Sequence, residues 1–363
     1  MKIAFLGDMA FVGQFNITSN EFDINKLEPL KKILENSDYV IANLESPFTN
    51  ETKTRVAKSI HLSANPKNVD VLKYLGINAV SLANNHINDF GIKGIKDTIN
   101  ILESNGIEWF GLDGKDIVIH HEDNKINVSG YACLSTNPTG YKRDNLSVNV
   151  LTFDNLNNQI KKSKEKGEIP ILSLHWGLEH TNYPNPEHVS LVKKLFSTYK
   201  NVIIHGHHPH VVQGLYEENN SFCAFSLGNA IFDEVRSLNN KMILKQHIEN
   251  LESFVWYVDI NKNNITSYNI CRFQYINGYI ELINNNNKID QISKFITKYK
   301  TQEYVNKRIN EFKNTIEIKF GKRTFKWFIK RLNFNSIINY VYGKKRIKEY
   351  SKIVNNFKEN NNV

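Results

Sequence analysis

The chain has 363 residues, of which 40% are hydrophobic and 23% charged. That length allows two or three units, or one large α/β domain with an appendage, and the composition supports a buried core and excludes wholesale disorder. No apolar run reaches the ~18 residues of a membrane span, and the N-terminal stretch, with one lysine and an apolar run broken at Gly7-Asp8, makes a poor signal peptide. Cys133, Cys223 and Cys271 are odd in number and lack any CxxC spacing. They argue against a disulfide framework and a thiolate zinc site, and for a reduced, cytoplasmic compartment.

The net charge of +9 is unevenly spread. From Gln291 to Val363 there are 18 Lys+Arg against 5 Asp+Glu, leaving 28 against 32 in the body. Any argument for a nucleic-acid or membrane surface therefore rests on the tail alone.

In chain order, short apolar runs at Lys2–Leu6, Asp38–Ala42, Ala79–Leu82, Ile169–Leu174 and Val202–Ile204 predict buried strands. Amphipathic patterns at Asn25–Asn36, Pro66–Leu75, Ile92–Asn105 and Pro186–Tyr199 predict the helices between them. Alternation of this kind predicts a layered α/β fold with ligands outside the carboxyl ends of the strands. Asp116–His121 and Lys125–Leu134 read as a hairpin, and Phe222–Leu227, Phe254–Ile260, Ile265–Phe273 and Gly278–Ile283 as further strands. The Asn-rich patch at 284–287 reads as a linker, placing one domain at 1–286 and a basic helical tail at 287–363. In that tail the pattern predicts helices over Asp290–Ile318, Arg323–Asn333 and Lys344–Lys358.

Polar residues cluster where the strands end: Asp8; Asn43 and Glu45; Asn84, Asn85 and His86; His175; and His205 through His210. Each alone has an ordinary explanation. A carboxylate or Asn pair after a strand makes turns and caps, and a buried His is usually a hydrogen-bonded core residue. Five strand ends all delivering carboxylate, carboxamide or imidazole to one edge of a sheet are harder to explain that way. Such a mixed nitrogen and oxygen set suits a divalent transition metal. His61, His120, His121, His188 and His247 fit no spacing and read as surface or packing residues, whereas His205 and His207 sit close enough in sequence to support the site.

The order Gly7-Asp8, Asn43-Leu44-Glu45, Asn84-Asn85-His86, His175-Trp176-Gly177-x-Glu179, Gly206-x-His208-Pro209-His210 and Ser226-Leu227-Gly228-Asn229 resembles the CapA/PgsA family. Those are capsule and poly-γ-glutamate synthesis proteins related to calcineurin-like metallophosphoesterases. The resemblance covers roughly residues 1–235 and implies a four-layer α/β sandwich, one or two divalent ions (manganese, iron or zinc) and hydrolysis of a phosphoester-type bond. It implies one ion on Glu45, Asn85, His175 and His208, the other on Asp8, Glu45 and His210, and His86 as the catalytic proton donor. Asn43, Asn84, Glu179, His207 and Asn229 are expected around that set. Ala10 stands where the wider phosphoesterase pattern has a histidine ligand, which leaves the second ion one protein ligand short; Glu179 and Asn43 are alternatives for it. The resemblance implies a phosphorylated or activated cell-envelope intermediate as substrate. A non-catalytic component of a polymer synthesis or export complex is the competing reading.

In the tail, Phe325, Phe328, Ile329 and Leu332 share one helical face with Lys and Arg around it. That face suits packing on the body, or peripheral docking on the inner face of an anionic membrane or on a capsule complex. No nucleic-acid-binding motif is present in the sequence.

Overall fold

The computed structural model describes residues 1–54, 60–136, 147–236, 242–320 and the single positions 344, 348 and 351. Its elements run β1 (Lys2–Met9), α1 (Glu28–Leu34), β2 (Tyr39–Leu44), α2 (Val69–Tyr74), β3 (Ala79–Ser81), α3 (Gly91–Ser104) and β4 (Glu108–Phe110). Then come β5 (Ile117–His121), β6 (Asn124–Ala132), α4 (Phe153–Glu165), β7 (Ile169–His175), α5 (Pro186–Thr198), β8 (Ile203–His207), β9 (Leu215–Glu218) and β10 (Ser221–Ala224). The rest are β11 (Asn229–Ile231), β12 (Val235–Arg236), β13 (Met242–Leu244), β14 (Glu252–Asn261), β15 (Asn264–Ile276), β16 (Tyr279–Ile283), α6 (Asn287–Ile296) and α7 (Gln302–Phe320).

Two sheets form. The first runs β16-β15-β14-β1-β2-β3-β4 with β11 added parallel to β1; the second runs β5-β6-β7-β8-β10-β9. Their central strands, β1, β2, β7 and β8, are buried on two faces, as strands covered on both sides must be. Alternate residues of β1 show this. Ala4 and Leu6 pack with Leu30, Leu72, Ile95 and Leu102 of α1–α3. Ile3 and Phe5 face the other way, toward Val128, Ile171 and Ile203 of the second sheet. On the second sheet, Leu172, Leu174 and Ile204 turn outward to Leu156, Ile160, Val192 and Phe196 of α4 and α5. The order helix, sheet, sheet, helix is the four-layer sandwich.

The strands that carry the polar residues do not share one sheet edge, contrary to expectation. β1, β2 and β3 belong to the first sheet, β7 and β8 to the second. Periodicity identifies strands but not their partners, so this division is visible only in three dimensions.

The predicted helix over Asp290–Ile318 is broken into α6 and α7 by a turn. Both pack on the body. Ile289 enters the core between the sheets. Ile292, Ile296, Tyr299 and Tyr304 join the core under α4 and α5. The Ser293 hydroxyl accepts from Leu215 N–H at 2.8 Å, and Tyr304 donates to the Pro184 carbonyl at 2.8 Å. The basic aromatic face at Phe325–Leu332 and the helices predicted over 323–333 lie outside the described residues, as do residues 137–146 and all of 344–358 except positions 344, 348 and 351.

Candidate metal centre

At the carboxyl ends of β1, β2, β7 and β8 the two sheets meet over a polar cluster. Asp8, Glu45, His175, His207, His208 and His210 are all buried there. Asp8 and Asn43 lie inside β1 and β2 rather than after them, because the strands run three and two residues past their expected ends at Leu6 and Ala42. Single donor atoms of Glu45, His175 and His208 lie within 4.8 Å of one another, and so do those of Asp8, Glu45 and His210. The two sets share Glu45. A third set, Glu179, His208 and His210, lies toward solvent, and a fourth joins Asp8, His175 and His207. Asn85 reaches the first set through its Oδ1, 3.1 Å from His175 Nε2.

The loop after β8 is held against its own conformational preference. His208 has φ 100° and His210 φ 58°, values that non-glycine residues seldom adopt. Four bonds hold it there. The His208 N–H donates to Asp8 Oδ2 at 2.9 Å, and the Pro209 carbonyl accepts from His180 N–H at 2.8 Å. The Asn250 amide donates to the His210 carbonyl at 2.8 Å, and Trp176 N–H donates to the His207 carbonyl at 3.1 Å. The result aims both imidazoles across Pro209 at one region.

The other polar side chains orient these donors. Asn43 Nδ2 donates to Asp8 Oδ1 at 2.7 Å, and Asn84 Nδ2 donates to Asn43 Oδ1 at 3.3 Å and to the Leu44 carbonyl at 2.8 Å. Asn84 Oδ1 accepts from the N–H groups of His86 and Ile87, which fixes the turn that carries His86. Asn229 Oδ1 lies 2.9 Å from His210 Nδ1, leaving Nε2 toward Glu45 Oε1 at 3.7 Å. Gly7 permits the close approach behind Asp8: a Cβ there would sit 1.9 Å from the Gly228 carbonyl oxygen.

Ala10 contributes no donor. It is buried with Leu62, Phe232 and Val235, an apolar wall whose Phe232 ring stands 5.0 Å from that of His210.

Electrostatically the cluster is divided. Burial, then the neighbouring imidazoles, push His175 and His207 well below the ordinary histidine range, and burial brings His208 down to about 4. Burial also opposes charge on His210, yet Glu45, Asp8 and Glu179 hold it up to about 10. Burial opposes charge on Asp8 too, but its bonds and charge interactions with His210, His207 and His208 keep it well below the carboxylate range. The protonated His210 is thus the internal counter-ion of two buried carboxylates. His208 Nδ1 is buried with no hydrogen-bond partner among the described residues. A buried, unpartnered ring nitrogen beside two carboxylates fits a ligand to a divalent cation.

Residues not anticipated from the sequence complete the centre. Asp89 Oδ2 lies 2.6 Å from His86 Nδ1 and also accepts the Leu62 N–H at 2.9 Å, so it fixes the ring of His86. The i, i+3 spacing of His86 and Asp89 was the available signal. His180, 3.5 Å from Glu179, and Asn250 support the loop after β8 and left no such trace. His188 stacks on Trp176 at 4.8 Å and His247 caps a 3-10 turn, both structural roles.

The fold and site define a class: a four-layer α/β sandwich with a buried carboxylate and imidazole cluster where its two sheets meet. Residues 2–234 match the model of the bacterial capsule synthesis protein PGA_cap, and the chain belongs to that family. It is 34% identical over 217 residues to the capsule biosynthesis protein CapA of Bacillus anthracis, covering 55% of this chain and 52% of that one. It is 28% identical over 244 residues to the PGA biosynthesis protein CapA of Bacillus subtilis, covering 64% of each. The chain therefore spans between half and two thirds of those relatives' length. Among solved structures, the calcineurin-like phosphoesterase YfkN of Bacillus subtilis overlaps 86% of this chain and 98% of its own, at 13% identity and a TM-score of 0.37. A 5'-nucleotidase precursor of Thermus thermophilus overlaps 87% of this chain and 59% of its own, at 9% identity and a TM-score of 0.43.

Proposed function

We propose that this chain is a metal-dependent hydrolase of a phosphoester-type bond that serves capsule or exopolymer synthesis. The observation that carries the reading is the pair of buried donor sets sharing Glu45. In this reading Glu45, Asn85, His175 and His208 hold one ion, and Asp8, Glu45 and His210 hold the other, with manganese, iron or zinc as the candidates. Two divalent cations in such a site lower the pKa of water toward neutrality and neutralise charge on phosphoryl oxygens. Glu45 supplies the negative charge common to both positions, while Asn85 supplies oxygen without charge. His86, oriented by Asp89, donates a proton to the leaving oxygen. The substrate in this reading is a phosphorylated or activated cell-envelope intermediate, met in the cytoplasm or at the inner face of the membrane. Among the described residues no helix is long and apolar enough to cross a membrane.

The wall at Ala10 favours a second reading, in which the chain serves a polymer synthesis complex without catalysis. A panel of phosphomonoesters and phosphodiesters, assayed with added manganese, separates the two. The hydrolase reading expects turnover that a chelator abolishes and that His86→Ala lowers at unchanged metal content. Absence of turnover on every ester with the site loaded would favour the non-catalytic reading.

A further inference from the structure

We propose that the buried series formed by the Leu6 carbonyl, His205, Ser173 and His207 is a hydrogen-bond relay that fixes the tautomer of His175, presenting its Nε2 lone pair to Glu45 and Asn85. The proposal rests on the reading of His175 as a metal ligand.

The direction of the relay is set at its far end by a group that only accepts. His205 Nε2 lies 2.8 Å from the Leu6 carbonyl, so that nitrogen carries the proton. A neutral ring then has its lone pair on Nδ1, 3.1 Å from Ser173 Oγ, and the hydroxyl hydrogen points there. The serine has one hydrogen to give. Toward His207 Nε2, at 2.9 Å, its oxygen must accept. His207 therefore has its proton on Nε2 and its lone pair on Nδ1, 2.8 Å from His175 Nδ1, which must donate. What remains on His175 is a lone pair at Nε2, 3.1 Å from Asn85 Oδ1 and 3.8 Å from Glu45 Oε1. Ser173, His175, His205 and His207 are each 0% exposed, so bulk water does not compete at any link.

Three competing arrangements are weaker. A proton on His175 Nε2 would donate to Asn85 Oδ1 at 3.1 Å, but the four hydrogens of the series cannot serve both ends, and it would strip the shorter 2.8 Å contact between His205 and the Leu6 carbonyl of its hydrogen. Asn43 Nδ2 lies 3.5 Å from His175 Nδ1 and would impose the opposite tautomer, but that separation is at the outer limit of a hydrogen bond. The 2.8 Å contact with His207 is the bond. Alternatively, His175 and His207 would share a cation with Asp8. Two nitrogens at about 2.1 Å from a tetrahedral ion lie roughly 3.4 Å apart. The observed 2.8 Å is a hydrogen-bond separation.

His207 and Ser173 thus act as positioning residues. The relay also crosses from β7 and β8 to β1, so the ligand's orientation is tied to the packing of one sheet on the other. Partners of this kind typically change metal affinity by 10–100-fold.

The test uses the full chain labelled with 15N-histidine and two readouts. The first is the tautomer of His175 in metal-free wild type, read from imidazole 15N shifts: the relay expects the proton on Nδ1, and a proton on Nε2 overturns it. The second is zinc affinity by competition with a chelating dye. His207→Leu is expected to weaken zinc binding about 10–100-fold. His207→Gln, which retains one acceptor and one donor, is expected to recover most of that loss. Equal affinity in His207→Leu and wild type overturns the proposal. Wild type showing the expected tautomer but binding no zinc would support the relay and refute the ligand reading.

Discussion

Loading the centre with a divalent cation is expected to expel one proton, and that proton comes from His210. Three carboxylates hold this buried imidazole near a pKa of about 10, so at pH 7.5 it is an imidazolium lying between Asp8 and Glu45. A ligand nitrogen must be deprotonated. Removing that proton at pH 7.5 costs two and a half pK units, about 3 kcal/mol, which weakens apparent affinity roughly 300-fold relative to a neutral ring. Affinity therefore rises tenfold per pH unit until the pH approaches 10. Calorimetry of manganese binding in buffers of different ionisation enthalpy, between pH 7 and 8.5, counts the proton directly. His210→Gln is expected to release none. Wild type releasing no proton, or affinity flat across that range, would refute the assignment of His210 as both internal counter-ion and ligand.

The same geometry bears on catalysis, stability and the tail. His86→Ala is expected to keep its metal and lose about 10²–10⁴-fold in ester hydrolysis, with Asp89→Asn between it and wild type; metal analysis beside steady-state kinetics checks both. Stability of the metal-free protein, followed by denaturant midpoint, is expected to peak near pH 6.5. Below that value His175, His205, His207 and His208, held low in the fold, take up protons on unfolding and stability falls with falling pH; above it His210, held high, releases its proton on unfolding and stability falls as pH rises toward 10. Gly206→Ala places a Cβ 2.1 Å from the Phe225 carbonyl oxygen, backbone against backbone, and is expected to cost roughly 3 kcal/mol in the same assay. Truncation after Asn286 removes Ile289, Ile292, Ile296, Tyr299 and Tyr304, all buried. At ~2 kcal/mol each the loss is on the order of 10 kcal/mol, comparable to a domain's whole stability, so an insoluble product is expected and a soluble, cooperatively melting one would refute it.

Much of the fold was legible because buried strands announce themselves. The run Ile3–Leu6 has no polar residue to face water, and Pro186 opens α5 where its missing N–H costs nothing. The short strand β4 and the polar helix α4 carry weaker patterns. The allotment of strands to two sheets leaves no periodic trace at all. At the site, residue types at strand ends identified the donors, since two carboxylates, a carboxamide and three imidazoles in that order are visible as letters. Their supports were not. Asp89 acts through a turn, Asn250 lies 40 residues from the His210 carbonyl it holds, and His205 reaches Leu6 across 199 residues. Such links are set by packing of one sheet on another. The tail shows the converse. Ile289, Ile292 and Ile296 fall on one helical face, so its inward packing was written in the sequence, but the high density of lysines in the same stretch points the eye outward.

The central claim is that Glu45 is common to two metal positions. Metal content of the reconstituted protein, measured by plasma mass spectrometry per mole of chain, tests it most directly. Wild type is expected to bind up to two manganese ions, His208→Ala to retain one, the surface change His121→Ala to alter nothing, and Glu45→Ala to bind essentially none. A Glu45→Ala protein that keeps the wild-type stoichiometry would contradict the account.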